Sequence, residues 1–444
     1  MDLATTLGRR HSAYIVSLPA EILALVFEIC YRQYSNKISA RKFVLKISHV
    51  SQQWRSAVAC QQIFWTDVLI TITKCTLLWP MEQCLQRSGA LPIDVDITST
   101  QKMDSEALKL VTRTICGALT SHANRWRSFH ARCRAGTNML LVMRGLRDIT
   151  APVLEDLQLA LEEEEMDGGA PWRLRISGAG DGVPHDILNG GAPLLQSARM
   201  ANALLRVPTN ALRVIFLDNT HNANSFQRDL AVAALLNNLP LLQELTIRGL
   251  VADGIPMGEF ASSKFSLPSL TSLRLLARTS YEPQFAFLGA ISAPLLERVV
   301  LERVSILCTL SLQGVFPQVR TLVVDPGRAK HALAVLRHCD TVFPNITHLN
   351  VRGRALTGSP HSHVGPQIWP RMQVLTLHEL QNSDVAPFCE WLVHRRQSCP
   401  FPRSIFLRSC DKADATALTA GLLTEGLGIA VHWSGGDDGP WYEE

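Results

Sequence analysis

Few of the residue types that carry chemistry fall at the spacings chemistry needs. Gly178-x-Gly180 follows a short extended run, Leu174–Ile176, as a dinucleotide loop would. The third glycine of such a loop is missing: Val183 stands in its place, and Pro184 follows where a helix should begin. His361-x-His363 offers two imidazoles, but no cysteine or carboxylate motif beside them completes a four-ligand shell. Cys389, Cys399 and Cys410 lie ten and eleven residues apart and read as small buried apolar residues rather than as a zinc site. Glu162–Glu165 is a charge run, in keeping with a solvated face more than with a dock for a basic partner. There is no GxSxG, no GKS/T loop, no HExxH and no identifiable nucleophile–base pair. The chain therefore reads as a non-enzyme with neither cofactor nor metal.

Composition narrows the partners. The chain has 444 residues, 47% of them apolar and 18% charged, which suits a packed fold and argues against disorder. With 43 basic and 39 acidic residues the net charge is +4, too balanced for nucleic acid to be the main ligand. No apolar run reaches the roughly 18 residues of a membrane span. The eleven cysteines are scattered, odd in number and without a CxxC pair, and no secretory signal opens the chain. Free thiols in the cytoplasm or nucleus are expected.

The elements that would position any site are periodic. The phrase Pro-x-Leu-x-x-Leu-x-Leu, with apolar substitutes, starts at residues 152, 240, 268, 294, 317, 344, 370 and 400. Weaker copies run through 124–131, 193–200 and 210–217, making eleven. From residue 210 onward the starts are 30, 28, 26, 23, 27, 26 and 30 residues apart. Each phrase predicts a short strand with alternate side chains inward, and a proline ahead of it where no ladder hydrogen bond is wanted. Helical patterns fill the intervals at 226–236, 330–337 and 386–394. Upstream, Val68, Ile70 and Ile72, then Ile93, Val95 and Ile97, predict two further strands, with helices over 81–87 and 107–119. Strand and helix trading places this regularly predicts an α/β fold: a leucine-rich-repeat solenoid with parallel strands. The asparagine or cysteine that usually follows the last leucine survives only as Cys410, so the repeats are irregular.

Ahead of the repeats stands a different pattern. Ile22, Leu23, Val26, Phe27 and Cys30 mark one amphipathic helix; Val44, Ile47, Val50, Trp54 and Val58 predict a second. Between them lies a polar insert, Gln33–Lys42, and Trp65 closes the unit. Leu18-Pro19-x-Glu21-Ile22-Leu23-x-x-Val26-Phe27, followed by Val50-x-x-x-Trp54-Arg55 and Phe64-Trp65, resembles the F-box. With irregular repeats behind it, the whole resembles the expanded F-box families of mushroom-forming fungi.

The resemblance implies a three-helix module that docks on an Skp-type adaptor and through it on a cullin. The chain would be the substrate-recruiting subunit of a ubiquitin ligase, its repeats holding a protein target. Leu18, Pro19, Ile22, Leu23, Val26, Phe27, Val50 and Trp54 are the expected adaptor contacts. Side chains alternating with the inward leucines are the expected target surface: Arg248, Arg274, Arg298, Glu302, Asp325, His348, Arg352, His378 and Arg408, with Val300 and Val323 among them. The expected domains are a leader over 1–14, the F-box over 15–66, the solenoid over 67–432 with an insert at 161–193, and a tail over 433–444. A repeat scaffold outside any ligase, and a hydrolase or transferase with a site in the loops 161–193 or 357–366, are the competing readings.

Overall fold

A computed structural model of the chain describes residues 18–73, 76–99, 106–134, 136–162, 185–202, 205–218, 235–236, 239–249, 265–277, 284–304, 315–325, 329–352, 368–380, 382–396, 399–400, 402–424 and 429–434. The leader, Gly178-x-Gly180 and His361-x-His363 lie outside them, as do most of the acidic run and the whole loop 357–366. Contacts divide the chain into two compact units, Met1–Ala170 with Asp186–Leu195, and Pro171–His185 with Gln196–Glu444. The helices at the front thus belong with the first strands.

Three helices open the first unit: α1 (Ala20–Arg32), α2 (Lys37–Ser48) and α3 (Gln52–Cys60), followed by a 3-10 turn, Gln62–Trp65. The polar insert is not a plain connector. Asn36 caps α2, its side chain accepting from the Ile38 and Ser39 N–H groups at 2.8 and 3.3 Å, so the helix begins inside the insert. The single helix expected across Val44 to Val58 is two. Ser51 Oγ accepts from Trp54 N at 3.2 Å and starts α3, and the apolar spacing runs on across the break, which is why periodicity alone misses it. Leu23, Phe27, Val44, Ile47, Ala57, Val58 and Phe64 form one buried cluster.

Strands and helices then alternate: β1 (Asp67–Ile72), α4 (Trp79–Arg87), β2 (Ile93–Ser99), α5 (Glu106–Thr120), β3 (Trp126–Cys133), α6 (Gly136–Leu146) and β4 (Asp156–Leu161). Each strand pairs in parallel with the next. Ile93, Val95 and Ile97 are fully buried, as the alternation requires. Ile187, Leu188, Ala192 and Leu195 are buried too, so the stretch expected to be an excursion over 161–193 rejoins the packed core well before its end.

The second unit carries β5 (Ser197–Ala201), β6 (Val214–Asp218), β7 (Glu244–Arg248), β8 (Ser272–Leu276), β9 (Arg298–Glu302), β10 (Thr321–Val324), β11 (His348–Arg352), β12 (Val374–His378), β13 (Ser404–Arg408) and β14 (Ala430–Ser434). Among the described residues its helices are α7 (Gln284–Ala290), α8 (Ala329–Val342), α9 (Asn382–Arg396) and α10 (Lys412–Thr424). In each unit the strands follow chain order as parallel neighbours, β1 to β4 in the first and β5 to β14 in the second, and every copy of the repeated phrase contributes one of them. This is the architecture of a leucine-rich-repeat-like solenoid. The repeats keep one register: Leu245, Leu273, Val299, Leu322, Leu349, Leu375 and Ile405 are successive partners. All seven are buried, as are Ile247, Leu275, Val351 and Leu377. The tail expected from residue 433 begins later, because Trp433 pairs with Leu407 inside β14.

The proline of each phrase has a more definite task than avoiding the ladder. It is the second residue of a tight turn, closed by Leu242 N to Leu239 O, Leu270 N to Leu267 O, Leu296 N to Ala293 O and Val319 N to Phe316 O at 3.2–3.3 Å. Proline's fixed φ suits that position, and the turn's last residue is the first inward leucine. At the other end, the residue after the strand enters the left-handed region: Asn202, Gly249, Arg303, Glu379 and Ser409 have φ between 49° and 76°. Cys410 then ties its repeat to the preceding one, its Sγ accepting from Leu380 N at 3.3 Å.

Candidate interaction surfaces

The first surface is on the helical module. Helix α1 is apolar on two sides. Leu23 and Phe27 face inward and are 1% and 4% exposed, with the Phe27 ring 4.7 Å from that of Trp54. Ile22, Leu25, Val26 and Ile29 fall at i, i+3, i+4 and i+7 on another side and are 43–54% exposed. Ile38 and Leu45 of α2, and Val50 after it, are exposed at 50–60%. A helix that buried only one stripe would carry polar residues opposite it.

The expected adaptor contacts therefore separate into two groups. Pro19, Ile22, Val26 and Val50 lie on the surface. Leu23 and Phe27 are corrected to core residues, since neither leaves surface for a partner; Leu18 and Trp54, partly buried, pack against the same cluster. Leu25, Ile29, Ile38 and Leu45 are exposed on the same module but are not among the expected contacts. For Leu25 and Ile29 the signal was present, as a second stripe at helical spacing beside the one that was read.

A polar network lies beneath the module. Tyr31 of α1 donates its hydroxyl to Asp67 of β1. Burial, then the Asp67 hydrogen bond, raises the Tyr31 phenol far above its ordinary range. Lys37 lies 3.8 Å from Asp67 and 3.6 Å from Asp94. Asp94 is buried and accepts from Arg127 through two nitrogens and from Ser128 Oγ at 2.9 Å. Burial alone would lift the Asp94 carboxyl; the Arg127 hydrogen bonds and the Lys37 charge more than offset it and hold the pKa below the usual aspartate value. Further along the same sheet face His130 Nε2 meets Asp156 at 2.6 Å.

The second surface is the outward face of β7 to β13. Arg248, Arg274, Arg298, Glu302 and Arg408 are partly exposed there and His348 is exposed. Arg248 lies 3.8 Å from Asp218. Arg352 occupies the expected backbone position in β11, its side chain lying outside the described residues. Two of the expected contacts are corrected: Asp325 and His378 are 2% and 3% exposed and present nothing to a target. Val300 and Val323 are likewise buried, gathered with Leu276 into a small cluster of their own. Outward apolar side chains on adjacent strands lower their free energy by packing together rather than by facing water. The open positions therefore run from Arg248 and Arg274 to Arg298 and Glu302, and again around His348, Phe406 and Arg408, with the buried Val300, Val323, Asp325 and His378 interrupting them. Phe406 stacks on His432 with ring centres 4.7 Å apart.

Among the described residues no group of three or more histidine, cysteine or acidic side chains is placed to hold a metal, and no helix is long and apolar enough to cross a membrane. Cys389 and Cys410 are buried and Cys399 is half-buried, all three as free thiols. No protein-family model matches the sequence, and no curated protein is similar to it.

Proposed function

We propose that this chain is an F-box subunit of a ubiquitin ligase, binding an Skp-type adaptor, and through it a cullin, with α1 and its neighbours, and a protein target with the outward face of its repeats. One observation carries the reading: α1 buries one apolar stripe and leaves a second, Ile22–Leu25–Val26–Ile29, in water. An uncovered stripe of that kind on a helix is expected of a docking surface. The LPxEIL opening and the order of the two tryptophans support the identity of the partner. The mechanism is proximity. One surface is held at the ligase and another holds the target, so the concentration of acceptor lysines near the ubiquitin-charged enzyme rises without bond chemistry by this chain. Such a protein works in the cytoplasm or nucleus.

Co-purification with an Skp-type adaptor tests the proposal. Val26→Asp places a charge in the middle of the exposed stripe, which costs nothing in water and much in an apolar interface. The variant should fold as the parent does and lose the adaptor. Full adaptor capture by a folded Val26→Asp protein, or none by the parent, would end this reading.

A further inference from the structure

The helical module and the sheet beside it have separate apolar cores. Among the described residues, the cluster from Leu23 to Phe64, with the half-buried side chains packed on it, has no member beyond Trp65. The covalent link is as short as it can be: the 3-10 turn ends at Trp65 and β1 begins at Asp67. A single short link fixes where the module sits but leaves it free to turn. Near that pivot the Arg87 guanidinium lies over the Trp65 ring at 4.5 Å, which adds little leverage against rotation.

Arg41 of α2 also reaches Cys84 of α4, but a buried neutral thiol is a weak acceptor and holds it loosely; two other side chains away from the pivot supply what the link lacks. Tyr31, in the last turn of α1, reaches Asp67. Lys37, at the start of α2, spans Asp67 and Asp94. Asp94 is a firm anchor because Arg127 and Ser128 hold its carboxylate from β3. The Tyr31 hydrogen bond is directional, and the Lys37 ion pair draws α2 toward one fixed, already oriented carboxylate, whereas apolar contact alone can slide.

We propose that Tyr31 and Lys37 are positioning residues that set the orientation of the docking module on the first strands. In the ligase they would thereby determine which lysines of a bound target ubiquitin reaches. This last step rests on the function proposed above; the orientation itself does not.

The experiment has two arms. Spin labels at Lys42→Cys and Leu110→Cys, in a background with Cys30, Cys60, Cys75, Cys308 and Cys399 changed to serine, report the module-to-sheet distance in the full-length free protein. The parent should give one narrow distribution. Tyr31→Phe with Lys37→Met, which leaves the Arg127–Asp94–Ser128 anchor intact, should broaden it with the melting temperature of the sheet unchanged. Adding Lys37→Arg in place of Lys37→Met should restore the narrow peak, since the guanidinium can still reach Asp94. A distribution as narrow in the double variant as in the parent overturns the proposal. In the second arm the protein is assembled with adaptor and cullin. The double variant should bind the adaptor as tightly as the parent but scatter ubiquitin over more target lysines. An unchanged acceptor pattern overturns the role in transfer. Failure of the parent to bind the adaptor at all defeats the functional reading and leaves the distance result to decide the joint.

Discussion

Two single residues give the sharpest tests of the local physics. Ser409 follows β13 at φ 49°, a conformation that costs an L-residue roughly 1–2 kcal/mol and glycine nothing. Glycine returns about 0.5–1 kcal/mol of that through the entropy of the unfolded chain. Ser409→Gly should therefore raise stability by about 0.5 kcal/mol in a denaturant titration, whereas Ser409→Val should lower it by at least the serine's own strain. The repeat already uses glycine at the equivalent Gly249. Asp94 tests the electrostatics. Its folded pKa is depressed, so its contribution is complete above the ordinary aspartate value of about 3.9. That contribution is lost as pH falls through the lower folded value. Asp94→Asn should destabilise the first unit near neutral pH and flatten the acid limb of its stability curve, as followed by circular dichroism from pH 2 to about 7.

At the scale of elements the two stripes of α1 predict opposite behaviour. Leu23→Ala opens a cavity in the module's cluster and should cost about 2–5 kcal/mol, seen as early melting of the helical signal. Ile29→Ala removes a side chain already 54% exposed and should leave stability nearly unchanged, while weakening adaptor capture if the stripe docks as proposed. The inward stripe was legible in the sequence because Leu23, Phe27 and Cys30 mark one helical side. All eleven strand phrases were legible for a related reason, since proline, turn and alternating leucines reinforce one another. Other elements were less plain. Helix α6 does present Met139, Val142, Met143 and Leu146 at helical spacing, but Gly136 and Gly145 mask it, and its buried Asn138 is accommodated only because Nδ2 donates to Ser99 Oγ at 3.1 Å. The first half of helix α2 hid in a polar stretch whose start is set by a cap, a signal one residue long. The open and closed parts of the outward face could not be read at all. Strand alternation says which side a residue is on, and Val300, Val323, Asp325 and His378 are on the expected side; whether that side is covered depends on packing beyond the strand.

For the whole molecule, the constancy of register leads to a prediction about subtraction. Residues 268–293 are one repeat of 26 residues, from Pro268 of one turn to Ala293 just before the proline of the next. They contain β8 and α7. In the parent, β7, β8 and β9 align Glu244 with Ser272 and Ser272 with Arg298, with no shift between strands. Removing the repeat joins Leu267 to Pro294, which re-forms the turn, and brings β7 beside β9 with inward Leu245 and Ile247 opposite Val299 and Leu301. A repeat array is held together by neighbour contacts, so the shortened chain should fold with its sheet one strand smaller. Its denaturant slope should fall in proportion to the surface no longer buried. Removing only residues 268–280 is the control: β8 goes but α7 stays, the return segment is left without a strand, and the inward leucines of the flanking repeats cannot meet. Circular dichroism and urea titration distinguish the two, the longer deletion melting cooperatively and the shorter one not. If both deletions unfold the second unit alike, the repeats are not interchangeable layers, and the small cluster of Leu276, Val300 and Val323, which loses a member in either case, is the place to look for the reason.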